Sequence, residues 1–502
     1  MEQKQKPGPE IWAKFLKINE KGKTTGINQN ALFEYLMQTE RIMIWKKKPY
    51  IYEAGRYICD SKGIRPGVII QDRITELIQP DWRGGPTTDA VYKRIEKTRS
   101  VYREEINRHP THWINFRNGM LDAKTGELHP HSPDFLSINQ LPWDWDPNAN
   151  DGEDVENFLN FALYKENARE LFLEYAGLMM TTDTAFQKYL MLIGQGGNGK
   201  SVLLNLISNA IGDENLSMMK LDKITGNRFA LTEMIGKLAN ICADLRTGSY
   251  KDSENLKMLT GNDRMNAEPK GLEGFNFKPY AKLLFSANEV PRVIGEESDA
   301  IYRRMMVLTI DRKPEKPDIY LEEKLKKQTP YFIRLCVEAL RRLYERGEFI
   351  TCPDSVEAVA HARRDNNSVD AFIQDECILG SGYEYERSAL YNLYAQYCAA
   401  ETRTPKSKPQ FFSILRDKGL KERKSGGVRY FVGLTKRTET PEEIPEETLP
   451  AFSDGPKITE NGIQTTPDVA GILEGIKQIQ AQQQQIATWI AGVMDVLQAR
   501  NA

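Results

Sequence analysis

Several things are scarce in this 502-residue sequence, and each scarcity excludes something. Net charge nearly vanishes, at −2, so no global field draws the chain onto nucleic acid or an anionic membrane; any such affinity must come from local patches. Apolar runs stay short of the roughly 18 residues that a membrane span requires, so no membrane partner is expected. The cysteines (Cys59, Cys242, Cys336, Cys352, Cys377, Cys398) contain no CxxC pair. They suit reduced thiols of a cytoplasmic protein rather than a zinc site or a disulfide frame. Histidine is also rare, and no cysteine lies near His109 and His112 or near His129 and His131, so neither pair reads as a metal site. The first residues, Met-Glu-Gln-Lys-Gln-Lys-Pro, lack the apolar core of a signal peptide.

What is present is concentrated in Met191–Ile207. An apolar strand runs into Gly194-Gln195-Gly196-Gly197-Asn198-Gly199-Lys200-Ser201 and then an apolar helix beginning at Val202. Glycines let consecutive N–H groups turn toward a phosphate, and the helix behind them points its positive end at the same anion. Lys200 reaches toward β- and γ-phosphates, and the Ser201 hydroxyl suits Mg²⁺. Gly194–Ser201 is therefore read as a nucleotide-binding P-loop, with ATP and Mg²⁺ as expected ligands. A glycine-rich turn between core elements is the bland alternative, and it leaves the Lys-Ser pair unexplained.

The rest of a P-loop enzyme should follow in order. Leu238–Asp244 is a mostly apolar strand ending in an acid, Asp244, where a nucleotide enzyme places its metal-holding carboxylate. Ala281–Asn288 is a third strand, ending in an amide suited to orienting water, although Asn288 also suits a simple turn before Pro291. Arg303 and Arg304 precede a fourth strand, Met305–Ile310; Arg304 is the first choice for an arginine finger and Arg303 the second. Between the second and third strands, Arg264–Glu268 and Gly274–Phe277 are expected to form a hairpin with Lys270 at its tip, downstream of Lys257. A lysine on such a turn is ordinarily only solvated; lining a ring's hole, it meets a phosphate backbone.

Upstream, Ala31–Met37 has helical spacing and Tyr50–Ile58 suggests a hairpin turning at Ala54-Gly55. Ile114–Asp122 followed by Thr125-Gly126 suggests another small β element, and helical patterns dominate 153–180 and 318–364. A unit at roughly 368–434 is expected to hold two helical stretches and to end in the strand Val428–Val432. From Arg403 to Arg437, eleven basic residues, Lys421, Arg423 and Lys424 among them, face two acids, Asp417 and Glu422. That excess favours phosphate binding over a merely solvated face. Thr438–Thr466, rich in Pro and Glu, reads as a linker. Beyond it Val469, Ile472, Ile476, Ile479, Gln483, Ile486, Ile490, Val493 and Leu497 form an a/d seam, expected as a coiled-coil helix that joins copies or recruits a partner.

Gly-Gln-Gly-Gly-Asn-Gly-Lys-Ser, the strand ending at Asp244, Leu259-Thr-Gly-Asn-Asp263 with Glu268-Pro-Lys-Gly271, and Ser286-Ala-Asn-Glu-Val-Pro291 followed by Arg303-Arg304 together resemble a superfamily 3 helicase. More narrowly they resemble the helicase half of phage and plasmid primase–helicases, related to the poxvirus primase–helicase. The likeness covers about 10–435, including Asn115–Asp122 and Leu141–Pro147. It implies an α/β AAA+-type P-loop ATPase core, an α+β N-terminal helicase-associated region and a C-terminal winged-helix-like domain. It further implies a homo-hexameric ring, ATP- and Mg²⁺-driven 3′-to-5′ movement on DNA, Lys270 as the DNA-contacting lysine, and the cytoplasm of a bacterial host. The expected boundaries are 1–150 for the N-terminal region, 151–317 for the core (with a helical lead-in at 151–187), 318–367 for a helical extension, 368–435 for the basic domain, 436–466 for the linker and 467–502 for the coiled coil.

Two departures matter. Many relatives carry paired acids where Asp244 is followed by Leu245, so Asp244 serves both metal and water, or Asp252 or Glu254 supplies the base. Residues 1–110 also show no convincing set of primase metal ligands, so a primase or other replication protein is an expected partner. The rival expectations are an origin-binding initiator whose ATPase is an assembly switch, and another P-loop machine such as a packaging ATPase or RNA helicase.

Overall fold

A computed structural model describes residues 8–60, 67–226, 230–245, 249–251, 254–261, 263–267, 274–294, 300–401, 403 and 405–437. The linker and the a/d seam lie outside the described residues.

The centre is a five-stranded, wholly parallel sheet built from β1 (Tyr189–Ile193), β2 (Leu216–Ser217), β3 (Ala239–Leu245), β4 (Lys282–Ala287) and β5 (Met305–Thr309). The order across it is β2-β3-β4-β1-β5. These strands are nearly continuous apolar runs because both faces are covered. Leu190, Leu192, Ile241, Leu284 and Leu308 pack on one side with the helices Glu153–Ala162, Ala168–Met179, Lys200–Ile211 and Thr329–Arg346. Tyr189, Met191, Leu283, Phe285 and Val307 alternate onto the other side, against Ile224, Leu231, Leu256 and Ile301. One polar exception stands out. Lys282 opens β4 almost fully buried, donating to the Thr181 carbonyl, and burial pushes its pKa down to about 7.

The N-terminal region is α+β, as expected from its mixed patterns. The helix Gln29–Thr39 and the hairpin Lys48–Glu53/Arg56–Cys59 are both present, the latter turning through Ala54 and Gly55 at φ 48° and 90°. A three-stranded sheet follows, Trp113–Phe116, Gly119–Asp122 and Leu128–His129.

This region meets the parallel sheet through a buried amide network. Asn139 Nδ2 donates to Asn215 Oδ1 at 3.0 Å and to the Gly236 carbonyl at 2.9 Å, while Asn139 Oδ1 accepts from Tyr280 and Asn107. Asn215 in turn donates to the Gln140 carbonyl at 2.9 Å, and Gln140 Nε2 donates to the Ala54 carbonyl at 2.7 Å.

The unit after residue 368 differs from expectation. It holds three helices, Ser368–Glu376, Arg387–Ala400 and Lys408–Asp417, and an additional strand, Cys377–Glu386. That strand pairs with Val428–Lys436, which pairs with Lys421–Ser425. Gly380, Gly382 and a bulge between Leu379 and Glu384 erase the period-2 alternation that would have marked it. Among the described residues, no helix is long and apolar enough to cross a membrane.

Candidate nucleotide site and nucleic-acid surfaces

Parallel α/β sheets place ligands beyond the carboxyl ends of their strands. At that edge Leu245, Ala287, Ile193 and Thr309 stand level across β3, β4, β1 and β5. The glycine loop leaves β1 here, its first amide donating to the Ala287 carbonyl at 3.2 Å. Gly194, Gly197 and Gly199 all have positive φ, at 155°, 79° and 89°. At Gly194 a Cβ would run into the Ile310 carbonyl oxygen and the Asn198 amide nitrogen, so only glycine fits. Asn198 closes the loop onto β5 by donating to that same carbonyl.

Lys200 begins the helix Lys200–Ile211 and is buried. Its ammonium donates to the carbonyls of Gly194 at 2.5 Å and Gln195 at 3.0 Å, and to Asn198 Oδ1 at 3.2 Å. Ser201 is exposed in the same first turn, where unpaired helix N–H groups gather. The arrangement offers an ammonium, helix N–H groups and a hydroxyl to an anion.

Asp244 lies at the end of β3, where the pairing skips from Cys242↔Phe285 to Leu245↔Ala287. Asn288 follows β4 directly and is exposed. The structure thus brings the loop, Asp244 and Asn288 to one edge of three adjacent strands. Of the alternative bases, Glu254 is exposed at the start of the helix Glu254–Gly261, and Asp252 lies outside the described residues.

Arg303 and Arg304 are not at this edge. They precede β5, whose first residue pairs with the first residue of β1. Five strand residues put about 17 Å between them and the loop. Lys188 Nζ donates to the Arg303 carbonyl at 2.5 Å, and Arg304 Nη1 donates to the Ala300 carbonyl at 2.7 Å. Burial and neighbouring Arg303 push the Arg304 pKa down, with Asp263 opposing. Its Nε is buried without a hydrogen-bond partner among the described residues.

Beside the loop, the segment leaving β5 is tied down. Lys165 bridges Asp311 at 3.1 Å and Asp354 at 2.7 Å, and Asp354 also accepts from the Thr309 amide at 3.1 Å. Partial burial alone would raise the Asp311 pKa, but its bonds to Lys165 outweigh this and hold it below the ordinary carboxylate range. None of these residues was singled out from sequence; their pairings join positions 45 to 189 apart and leave no local signal.

The strands Met265–Ala267 and Phe275–Phe277 pair antiparallel, Met265 opposite Phe277, as the expected hairpin requires. Lys270, its candidate tip, lies outside the described residues. Lys257 sits half-buried on the helix Glu254–Gly261. In the basic unit Lys421 and Lys424 are exposed, and Arg429 stands opposite Lys424 at a Gly426-Gly427 turn. Arg423 instead grips Glu384 with two bonds of 2.9 and 2.7 Å. The histidines have local partners: His129 stacks on Trp113, His131 bonds Asn115, and His112 faces Asp122.

Fold and edge define an α/β protein with a glycine loop at the carboxyl end of a parallel sheet. Comparison with known proteins narrows this. A family model described as "D5 N terminal like" matches residues 83–163, and one described as "Family of unknown function (DUF5906)" matches 192–304. The chain is 26% identical over 204 residues to "Putative helicase L207/L206" of Acanthamoeba polyphaga mimivirus, covering 39% of this chain and 21% of that protein. It is 26% identical over 216 residues to "Putative helicase 121R" of Invertebrate iridescent virus 3, covering 40% and 23%. The chain therefore spans under a quarter of the length of these curated relatives. A solved structure of the NrS-1 C-terminal region overlays with a TM-score of 0.49 at 14% identity, covering 80% of this chain and 98% of that one. The resemblance read from the motifs holds at this level: the chain is similar, over these segments, to a D5 N-terminal-like family model and to viral proteins described as putative helicases.

Proposed function

We propose that the chain is the ATP-dependent DNA helicase motor of a phage or mobile element, working as a hexameric AAA+-type ring that moves 3′ to 5′ when that element replicates. One observation carries the reading: the loop, Asp244 and Asn288 share one edge of the sheet, while Arg303 and Arg304 stand at the opposite edge. An arginine so placed is out of reach of its own chain's nucleotide and suited to a neighbour's, which supports the ring reading. Lys200 neutralises phosphate charge, Asn288 orients water, and Arg304 of the adjacent subunit stabilises the transition state. Ser201 and Asp244 would hold Mg²⁺, which would supply charge neutralisation at the phosphates; an exposed hydroxyl and a strand-end carboxylate are ligands that suit a hard cation. Lys270 on the paired hairpin tracks one DNA strand. Residues 467–502 join copies or bind a primase or another replication protein.

A second reading draws on the basic unit. Its order of helix, strand, helix, helix, strand, strand is that of a winged helix, with Lys421, Lys424 and Arg429 on the wing. This favours duplex binding, and with it the origin-binding initiator whose ATPase is an assembly switch. Unwinding of a forked duplex by wild type, Lys200→Ala and Lys270→Ala, with ATPase measured in the same samples, separates the two. The motor reading expects Lys200→Ala to lose both activities and Lys270→Ala to lose mainly unwinding. ATP hydrolysis by wild type without strand separation, even on a 3′-tailed fork, would favour the initiator.

A further inference from the structure

The loop accounts for the phosphates of a nucleotide and says nothing of its base. Two residues beyond Ile310, whose carbonyl touches the loop through Asn198, the Arg312 guanidinium lies 3.4 Å from the centroid of the Tyr164 ring. Two residues of extended chain span about 7 Å, so this stack stands beside the loop and within a nucleotide's length of it. The Tyr164 side approaches the loop as well: it follows the helix Glu153–Ala162, whose Phe158 lies against Gly199.

The stack is held in place rather than left loose. Tyr164 Oη donates to Asp311 Oδ2 at 3.3 Å, and Asp311 is bridged by Lys165 to Asp354. Yet Tyr164 remains 40% exposed, one face covered by Arg312 and ring surface still open. A rigid tyrosine backed by a guanidinium is a stacking platform, since every base presents a π-face and the cation strengthens the stack.

We propose that Tyr164, backed by Arg312, is the platform on which the purine base of a nucleoside di- or triphosphate stacks while its phosphates occupy Gly194–Ser201. This rests on the nucleotide-site reading given above. A purine covers more of the ring than a pyrimidine does, so the platform also sets base preference.

The test compares dissociation constants for ADP, CDP and inorganic pyrophosphate in wild type, Tyr164→Ala, Tyr164→Phe and Arg312→Ala. Pyrophosphate engages the loop without a base, and its unchanged binding shows that a variant has kept its fold. Expected are ADP binding weakened roughly five- to hundred-fold in Tyr164→Ala, loss of the preference for ADP over CDP, a smaller loss in Arg312→Ala, and retention in Tyr164→Phe. Unchanged ADP affinity in Tyr164→Ala, or equal weakening of ADP and pyrophosphate, overturns the platform. Failure of wild type to bind either ligand overturns the nucleotide site itself.

Discussion

Replacing Gly194 by alanine tests the closure of the glycine loop onto the sheet. A Cβ there would collide with the Ile310 carbonyl and with the Asn198 amide that donates to it. The backbone, at φ 155°, resists a side chain independently. Forcing a non-glycine residue into such a region costs about 1–3 kcal/mol. Breaking the buried Asn198–Ile310 bond adds about 1–3 kcal/mol. The sum, on the order of 4 kcal/mol, should lower the melting midpoint of the core by about 10 °C. Gly196 is the internal control, because a Cβ there meets nothing within 4 Å and its φ is not in the left-handed region. Differential scanning fluorimetry of Gly194→Ala and Gly196→Ala, with pyrophosphate binding measured alongside, reads both effects. A Gly194→Ala protein that melts with wild type and binds pyrophosphate equally well would refute the argument, because the close approach would then carry no constraint.

Lys282 gives a pH prediction. Its folded pKa of about 7 lies below its ordinary 10.5, so between these values the unfolded chain binds more protons than the folded one. Stability should rise with pH across that window, by up to about 1.4 kcal/mol per unit; urea denaturation at several pH values should show Lys282→Met lacking that slope, and parallel curves would count against it. Arg304→Ala should cut ATPase activity by about 10³-fold. Doping it into wild type should depress activity faster than its mole fraction, whereas a linear decline would argue against action across subunits. Glu384→Gln should release Arg423 and steepen the salt dependence of duplex binding by about 0.9 in log–log slope; an unchanged slope would mean that Arg423 never reaches phosphate.

The loop, the strand to Asp244 and the strand to Asn288 were legible in sequence because each is a short, contiguous pattern with local chemistry. The strand order was not: that β4 inserts between β1 and β3 depends on how two helical layers pack, not on any one segment. Arg303 and Arg304 stand far from the loop because they precede β5, which runs parallel beside β1, whereas the loop follows β1. In the basic unit the run from Arg403 to Arg437 looks more positive than it is, since Glu384 and Asp370, upstream, pair with Arg423 and Lys418. The amide network was invisible for another reason. Single Asn and Gln residues carry no periodicity, and their meaning lies in partners as far as 141 positions away.

That network has a mechanical meaning. Apolar surfaces slide over one another at little cost, but a displaced amide leaves donors and acceptors buried and unsatisfied, at about 1–3 kcal/mol each. Asn139, Asn215 and Gln140 therefore act as a key in a keyway, fixing the N-terminal region to the β2 edge in one pose. Whatever turns the sheet turns the Ala54–Gly55 hairpin with it, as a lever turns with its shaft.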